Sequence, residues 1–475
     1  MTSSSASPAG NTGASERGPV RASDLLKVRG VWISPLIVGS IVVVLITVFY
    51  IGSAVNPLGH LHDLPVAVVN QDRGAAAGPQ RLNVGQKVEA TLSQTPAVAN
   101  RLALADTTLR AAEQAMDRDD FYATLVIPPN FTASLLQLGG IAPNGPGSSK
   151  PEIVILTNQR AGNVGVSLAT GVLQPALAAA SRQIGRQLSA LAPPRTSTAL
   201  SEAFLADPVT VAMEPYRPLP SHTALGLSPF YTALLTLMCG FLGGVIVNSS
   251  VDAALGYATT EIGPRWRQSL PLPISRWQTL ILKWVIAAVL TALTTGLMIL
   301  VAAGILGMDT PHPFELWLLA WLAATSVAAG TIVLFATLGA SIGQLLAVLL
   351  FVYVGLASAG GTVPLEALPS YLRWLAEIEP LRQILDGTRA ILYFDARWDA
   401  GLTRAVSAAA GGLVLWLVAG TAAVRWYDRK GLSRMNPELL EYVRGAAQAY
   451  SARSTNPPPQ ASGDLSGPPD PGAEV

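Results

Sequence analysis

Long apolar runs dominate the pattern of this chain, with a stretch of shorter alternations set between the first run and the second. A helix needs about 20 apolar residues to cross roughly 30 Å of hydrocarbon at 1.5 Å per residue. Six runs meet that requirement: residues 34–54, 227–247, 284–305, 314–338, 341–360 and 402–424. Only a short Gly/Ala/Ser stretch separates the fourth from the fifth, which predicts a tight helical hairpin. A long polar leader and a long apolar core set the first run apart from a cleaved signal peptide, so it reads as an uncleaved anchor. Residues 162–180 carry no charge, are rich in Gly, Ala, Ser, Thr and Gln, and contain Pro175; Arg182 and Arg186 follow on one face. That segment reads as an amphipathic helix rather than a span.

The alternation over residues 56–226 is that of a folded domain. Residues 64–70 form an apolar strand closed by the turn signature Asp72-Arg73-Gly74. Further strands are predicted at 103–107, 121–127, 152–157 and 209–213, and helices at 82–92, 109–116 and 131–138. Strand and helix signals take turns, which predicts a mixed α/β domain. The expected fold class is an α-helical polytopic membrane protein with six spans, one before this domain and five after it.

Composition agrees. Half of the 475 residues are apolar and 13% are charged, against about a quarter in soluble proteins. The net charge of +1 points to no nucleic acid. Cys239 is the one cysteine, which excludes an intrachain disulfide and a cysteine-based zinc site. Basic residues near span ends set orientation. They cluster before the first span (Arg21, Lys27, Arg29), between the second and third (Arg265, Arg267, Arg276, Lys283) and after the sixth (Arg425, Arg429, Lys430, Arg434). Residues 361–401 hold four arginines and six acids. Both termini are therefore expected in the cytoplasm, in a multi-pass cell-membrane protein. The expected divisions are a disordered leader (1–32), the first span (33–55) and an extracytoplasmic α/β domain (56–226). A five-helix domain (227–425) follows, with a cytoplasmic loop at 251–283 and an external segment at 361–401, then a tail (426–475) disordered at its end.

Nothing in the chain resembles a phosphate-cradling Gly-x-x-x-x-Gly-Lys-Ser/Thr loop; the nearest string, residues 145–150, lacks its spacing. No zinc-hydrolase motif or Gly-x-Ser-x-Gly elbow occurs. His60 and His62 with Asp63 are too few to define a metal site, and the chain is read as holding no cofactor and no metal. Span interiors nearly free of charge argue against a proton relay. Gly240, Gly243, Gly244 and Gly330 would let helices approach closely.

Three stretches together resemble the type-2 ABC transporter permeases, in the branch called phage-infection-protein-like. The first is a basic leader and one span followed by Leu-Pro-Val-Ala-Val-Val-Asn-Gln-Asp-Arg-Gly at 64–74. The second is Asp119 to Phe131, which contains Ile127-Pro128-Pro129-Asn130-Phe131. The third is Gly360-Gly361-Thr362-Val363-Pro364 through Pro369, continuing to Glu379-Pro380-Leu381 and to Gly387 through Tyr393. The resemblance covers roughly residues 25–430. It implies a 1+5 arrangement, a homodimer or a dimer with a related permease, contact with membrane lipid, and a separate cytoplasmic ABC ATPase that supplies ATP-driven work. The implied activity is export of an amphipathic or lipid-like substrate. The resemblance also places short re-entrant helices lining an external gate at Pro364, Pro369, Glu377, Glu379, Pro380, Arg382, Asp386 and Arg389. Arg382 and Asp386, four apart, would pair on one helix face. Tyr371, Trp374, Tyr393 and Trp398 read as interfacial aromatics. A coupling helix docking on the ATPase would comprise Tyr257, Glu261, Arg265, Trp266, Arg267 and Arg276. From the residues alone, the first segment also reads as a loop sealing the exit and the second as positive-inside anchoring. The rival function is a non-transporting membrane protein that displays residues 56–226 as a binding or envelope-organising module.

Overall fold

The computed structural model describes residues 29–77, 80–138, 150–191, 206–267, 271–272, 274–432, 441–442 and 445. Residues 1–28 of the polar leader, residues 145–149 of the Gly/Ser string, Arg434 and the Pro-rich tail lie outside them. Helix α1, Arg29–Ile46, runs on through a π-helical turn, Thr47–Ile51, to Ala54. The chain then enters the α/β domain.

Five strands form its main sheet: β1 (Leu64–Asn70), β4 (Leu102–Asp106), β5 (Ala123–Ile127), β6 (Glu152–Thr157) and β7 (Thr210–Pro215). Their spatial order is β4-β1-β5-β6-β7. β1 runs parallel to β4 and β5, β5 antiparallel to β6, and β6 parallel to β7. One face is covered by α2 (Val84–Gln94), α4 (Phe131–Leu138) and α5 (Asn163–Leu191), whose Val88, Leu92, Phe131, Leu135, Val172 and Leu173 join the strand residues in one core. The other face carries α3 (Leu109–Met116), with Ala112 against Ala67 and Val69. Periodicity located the strands and the shorter helices to within a few residues, while α5 runs eleven residues beyond the expected 162–180. It missed the small hairpin β2–β3 (Ala75–Ala77, Gln80–Leu82), because an alanine triplet has no strand signal. Asp72, in the turn after β1, is more than a turn residue. Its carboxylate accepts from the N–H groups of Gly85 (3.0 Å) and Thr132 (3.1 Å) and from the Thr132 hydroxyl, so it fixes the starts of α2 and α4 together.

Beyond this domain the chain is helical. α6 is Ser228–Ala254, α7 is Arg276–Ile299 with a π-helical extension to Ile305, and α8 is Pro313–Ala347, extended through Val348–Val354 to Ser358. The short α9 (Ser370–Ala376) and α10 (Pro380–Tyr393) precede α11, Leu402–Arg429. Among the described residues six helices are long and apolar enough to cross a membrane. The number is the expected one, but the membership differs. α5 qualifies by length and composition, yet its apolar face is spent in the core of the α/β domain. Conversely, 313–358 counts as one helix of 46 residues, about 69 Å if straight and thus twice a bilayer. It is not straight. Gly339 takes φ 80° and ψ 169°, a conformation open only to glycine. A Cβ on Gly330 would meet Phe351, and one on Gly343 would meet the Leu334 carbonyl at 2.6 Å. Those pairs are nearly symmetric about Gly339, so the helix folds back as two limbs, the expected hairpin.

α6 and α8 touch at the backbone: a Cβ on Gly240 would stand 2.5 Å from the Ala324 oxygen, and one on Gly244 2.8 Å from Thr331. Gly243 differs, with Thr291 of α7 at an ordinary 3.6 Å. Lys283, expected at the edge of a span, sits inside α7 at 1% exposure. Its Nζ donates to Asn248 (2.6 Å) and pairs with Asp252 (2.8 Å), both on α6. A lysine is kept in such a place only by partners of this kind, so the bundle interior is less free of charge than its sequence suggests.

Candidate functional site

The residues singled out at 364–389 converge where the α/β domain meets the helices. Pro364 opens a 3₁₀ turn, Leu365–Ala367, and Pro369 precedes α9. Pro380 occupies the first turn of α10, where its missing N–H costs nothing. The Glu379 carboxylate caps the same helix, accepting from the Arg382 N–H at 3.0 Å. Glu379 is 2% exposed; one of its oxygens points at Gly355, whose Cβ position is 2.4 Å away. Glu377, at the end of α9, pairs with Arg404 of α11 at 2.8 Å on the surface. Arg382 and Asp386 pair one turn apart at 3.2 Å.

α10 is not a surface loop. Its Leu381, Ile384 and Leu385 pack with Phe230, Leu237 and Phe241 of α6 and Phe351 of α8. Further along, Ala390, Ile391 and Leu392 pack with Leu316 and Leu319 of α8 and Ala405 of α11. The helix is thus inserted among the long helices. Trp374 and Trp398 are exposed as interfacial aromatics would be. Tyr393 is not: it is buried, and its hydroxyl donates to the Thr223 carbonyl at 3.5 Å. The amphipathic period of α10 places it on the packed face.

Arg389 reaches furthest. Its guanidinium pairs with Asp119 of the α/β domain at 3.1 Å. Asp119 takes φ 68°, the left-handed conformation, in the turn before β5, a conformation that asparagine and aspartate tolerate best. Around this pair the domain is fastened at several points. Arg160 donates to the Tyr393 carbonyl (3.0 Å) and the Pro218 carbonyl (3.3 Å). Asn163 donates to the Leu225 carbonyl. The His62 N–H donates to the Glu366 carbonyl at 3.1 Å, and the Tyr371 hydroxyl to the Val48 carbonyl of α1 at 3.2 Å. Between the two bodies lies a cavity of about 250 Å³, lined by Tyr122, Gly162, Phe230, Gly361, Pro364 and Arg389. Burial pushes the Asp119 carboxyl up to about 7, against the pull of Arg389 and with a push from Asp386. Burial likewise raises the Tyr122 hydroxyl, helped by the charge of Glu366, and it raises Glu366 itself. Sequence reasoning named Arg389 but not Asp119, Tyr122 or Arg160. The Asp119-Asp120-Phe121-Tyr122 string was noticed, yet nothing in it marks which aspartate faces inward.

At the far end of the bundle, 27 residues of α6 away and so about 40 Å off, the connection between α6 and α7 departs from expectation. Instead of a coupling helix it forms an antiparallel hairpin, β8 (Thr260–Ile262) with β9 (Arg265–Arg267). The Gly263-Pro264 turn explains this. Gly263 takes φ 59°, and a proline there would break a helix, while Thr-Glu-Ile and Arg-Trp-Arg alternate as strands do. Arg265 is exposed; the side chains of Glu261, Trp266 and Arg267 lie outside the described residues. Tyr257 and Arg276 act as ties: the Tyr257 hydroxyl donates to the Leu272 carbonyl (2.8 Å), and Arg276 donates to the Leu432 carbonyl (3.1 Å) and stacks over Tyr427. Among the described residues no three His, Cys, Asp or Glu side chains stand together as metal ligands.

No curated protein matches the chain. A crystal structure of a domain of a proposed ABC type-2 transporter from Thermotoga maritima MSB8 is similar at 18% identity over 35% of this chain and 97% of that one, with a TM-score of 0.23. A family model described as "Protein of unknown function (DUF3533)" matches residues 35–420. That match takes in most of α1, the α/β domain, α10 and most of α11, and the chain belongs to the DUF3533 family.

Proposed function

We propose that this chain is the permease subunit of an ABC-type exporter, which moves an amphipathic or lipid-like substrate out of the cell using a separate cytoplasmic ATPase. The observation that carries the reading is α10. It is a short helix inserted among long apolar ones and joined by Arg389 to Asp119 of a domain that the chain enters after its first helix. Such an insert, tied to a body outside the bundle, can open or close a path when the long helices tilt. The layout adds support: one apolar helix, an α/β domain, then a bundle whose two folded-back limbs complete five further spans. In this reading both termini are cytoplasmic and two copies, or one copy and a related permease, enclose the path. The β8–β9 hairpin, a short two-stranded finger at the far end, takes the push from the ATPase in place of a helix.

The test is reconstitution. The chain is co-expressed with candidate ATPases, purified, and placed in proteoliposomes with lipid, glycolipid, hydrophobic drug and peptide candidates. A partner should co-purify, and its ATP turnover should rise with one substrate class. If no ATPase co-purifies, and the α/β domain on a single helix replaces the whole chain in cells, the protein is a display module and the exporter reading fails.

A further inference from the structure

Two further cavities lie beside the Asp119–Arg389 junction, the polar one sharing Arg160 and Tyr393 with its ties. One is an apolar groove of about 660 Å³ at the domain end of α6 and α7, with Tyr231, Leu235, Leu297, Met298, Val301 and Met308 among its walls. That volume falls in the range of small-molecule pockets, about 300–1,000 Å³. Leu235 and Leu297 are 50% and 61% exposed, so the groove opens sideways from the bundle. The other is a polar cavity of about 350 Å³ with Asp117, Arg160, Arg217, Asp309, Asp395 and Arg397 on its walls. The two adjoin. Pro220 and Asp309 line the polar cavity, and His222 and Met308, one or two positions along, line the groove. Both also back onto one apolar cluster that contains Met298, Met308, Leu392 and Tyr393.

The charges of the polar cavity are only partly matched. Arg217 pairs with Asp117 (2.8 Å), Arg397 with Asp399 (2.9 Å), and Asp395 with His312 (2.7 Å). Arg160 gives its two terminal nitrogens to carbonyls and meets no carboxylate at ion-pair distance among the described residues; its buried Nε has no partner there. Asp309 is exposed and makes no ion pair among the described residues, though its charge and that of Asp117 bear on Arg160. One cation and one anion are left facing the same space. A cavity in which a cation and an anion face each other beyond ion-pair distance, opening onto an apolar groove, fits a ligand with the same division.

We infer that the groove and the polar cavity together seat one zwitterionic phospholipid. Its acyl chains lie between α6 and α7, its phosphate rests on Arg160 beside Arg217, and its ammonium rests on Asp309. The inference names a substrate class for the exporter reading and rests on that reading only in placing the groove against lipid; the seat itself exists whether or not the chain transports.

Native mass spectrometry of the purified full chain tests it without any ATPase. Delipidated protein is titrated with phosphatidylethanolamine, phosphatidylglycerol or glycerophosphoethanolamine, the last supplying the headgroup without chains. The expected result is retention of phosphatidylethanolamine about tenfold above phosphatidylglycerol, with no retention of the chainless headgroup. Arg160→Ala and Asp309→Asn should each lower that retention several-fold, and Arg160→Lys should restore part of it. Equal retention of the two lipids, or variants that melt normally and bind as the parent does, overturns the proposal. If Arg160→Ala fails to fold, Asp309→Asn and Leu297→Trp, which fills the groove, decide it. Binding without ATP-driven transport refutes the exporter reading alone, and transport of another substrate without lipid binding refutes this one alone.

Discussion

Arg389 and Asp119 are 270 positions apart and form a 3.1 Å ion pair in which both side chains are less than one-fifth exposed. The pair joins the inserted helix α10 to the turn before β5. It is the ion pair of a junction whose other ties are hydrogen bonds to backbone carbonyls and the packing of Ala367 into the core of the α/β domain.

Removing one partner strands the other charge in a poorly hydrated place. We predict that at pH 8 Asp119→Ala lowers stability by about 2–4 kcal/mol, and that Arg389→Met costs less, because the buried Asp119 carboxyl can then take up a proton. The double variant should recover much of that loss. Thermal melting of all four proteins in one detergent checks this; strictly additive losses would show that the two side chains do not interact.

The pH dependence follows from the upward shift of Asp119 to about 7, caused first by burial. The folded state holds this proton more tightly than the unfolded chain does. The contribution is therefore complete below the ordinary value of 3.8 and is lost as pH rises through about 7. Melting temperature is expected to fall between pH 5 and pH 8, and Asp119→Asn should flatten the fall. A variant that keeps the parental slope would assign it to other groups.

Gly339 turns α8 back on itself at φ 80° and ψ 169°. A side chain there is strained whatever the space, so Gly339→Ala should cost about 1–3 kcal/mol. Gly171, in the middle of α5 with nothing near its Cβ position, is the control: Gly171→Ala should be neutral or stabilising by up to about 1 kcal/mol. Equal melting of the two variants would mean that the limbs join in some other way.

The hairpin prediction separates a functional role from a structural one. Arg265 is exposed, so Arg265→Glu should leave the melting temperature unchanged within about 0.5 kcal/mol of stability. In the exporter reading it nevertheless abolishes recovery of the ATPase in a pull-down. Undiminished recovery would remove the hairpin from the proposed interface.

Local order was legible in the sequence and long-range order was not. The short apolar runs at Val66–Val69 and Ala123–Ile127, and the uncharged run after Asn163, are properties of neighbouring residues, so strands and helices could be read directly. The Gly263-Pro264 turn was equally local, yet the resemblance to permeases favoured a helix there and the turn chemistry prevailed. The junction depends on which aspartate of Asp119 and Asp120 faces inward, and that is decided by the left-handed turn at Asp119. Tyr393 looked interfacial because tyrosine commonly is; the period of α10 turns it inward. Lys283 looked like a boundary marker because its partners, Asn248 and Asp252, lie on another helix.

The α/β domain is an insertion, attached through α1 on one side and α6 on the other. A module hung from one strand of chain can swing without disturbing its support; one held at both ends cannot. Any torque on the sheet is delivered at once to the first and second long helices, while Arg389 passes it to α10, packed among α6, α8 and α11. Whatever grips this domain from outside thereby holds a handle on both helices, and in the exporter reading jamming it in place should arrest the bundle as surely as withholding ATP from the proposed partner.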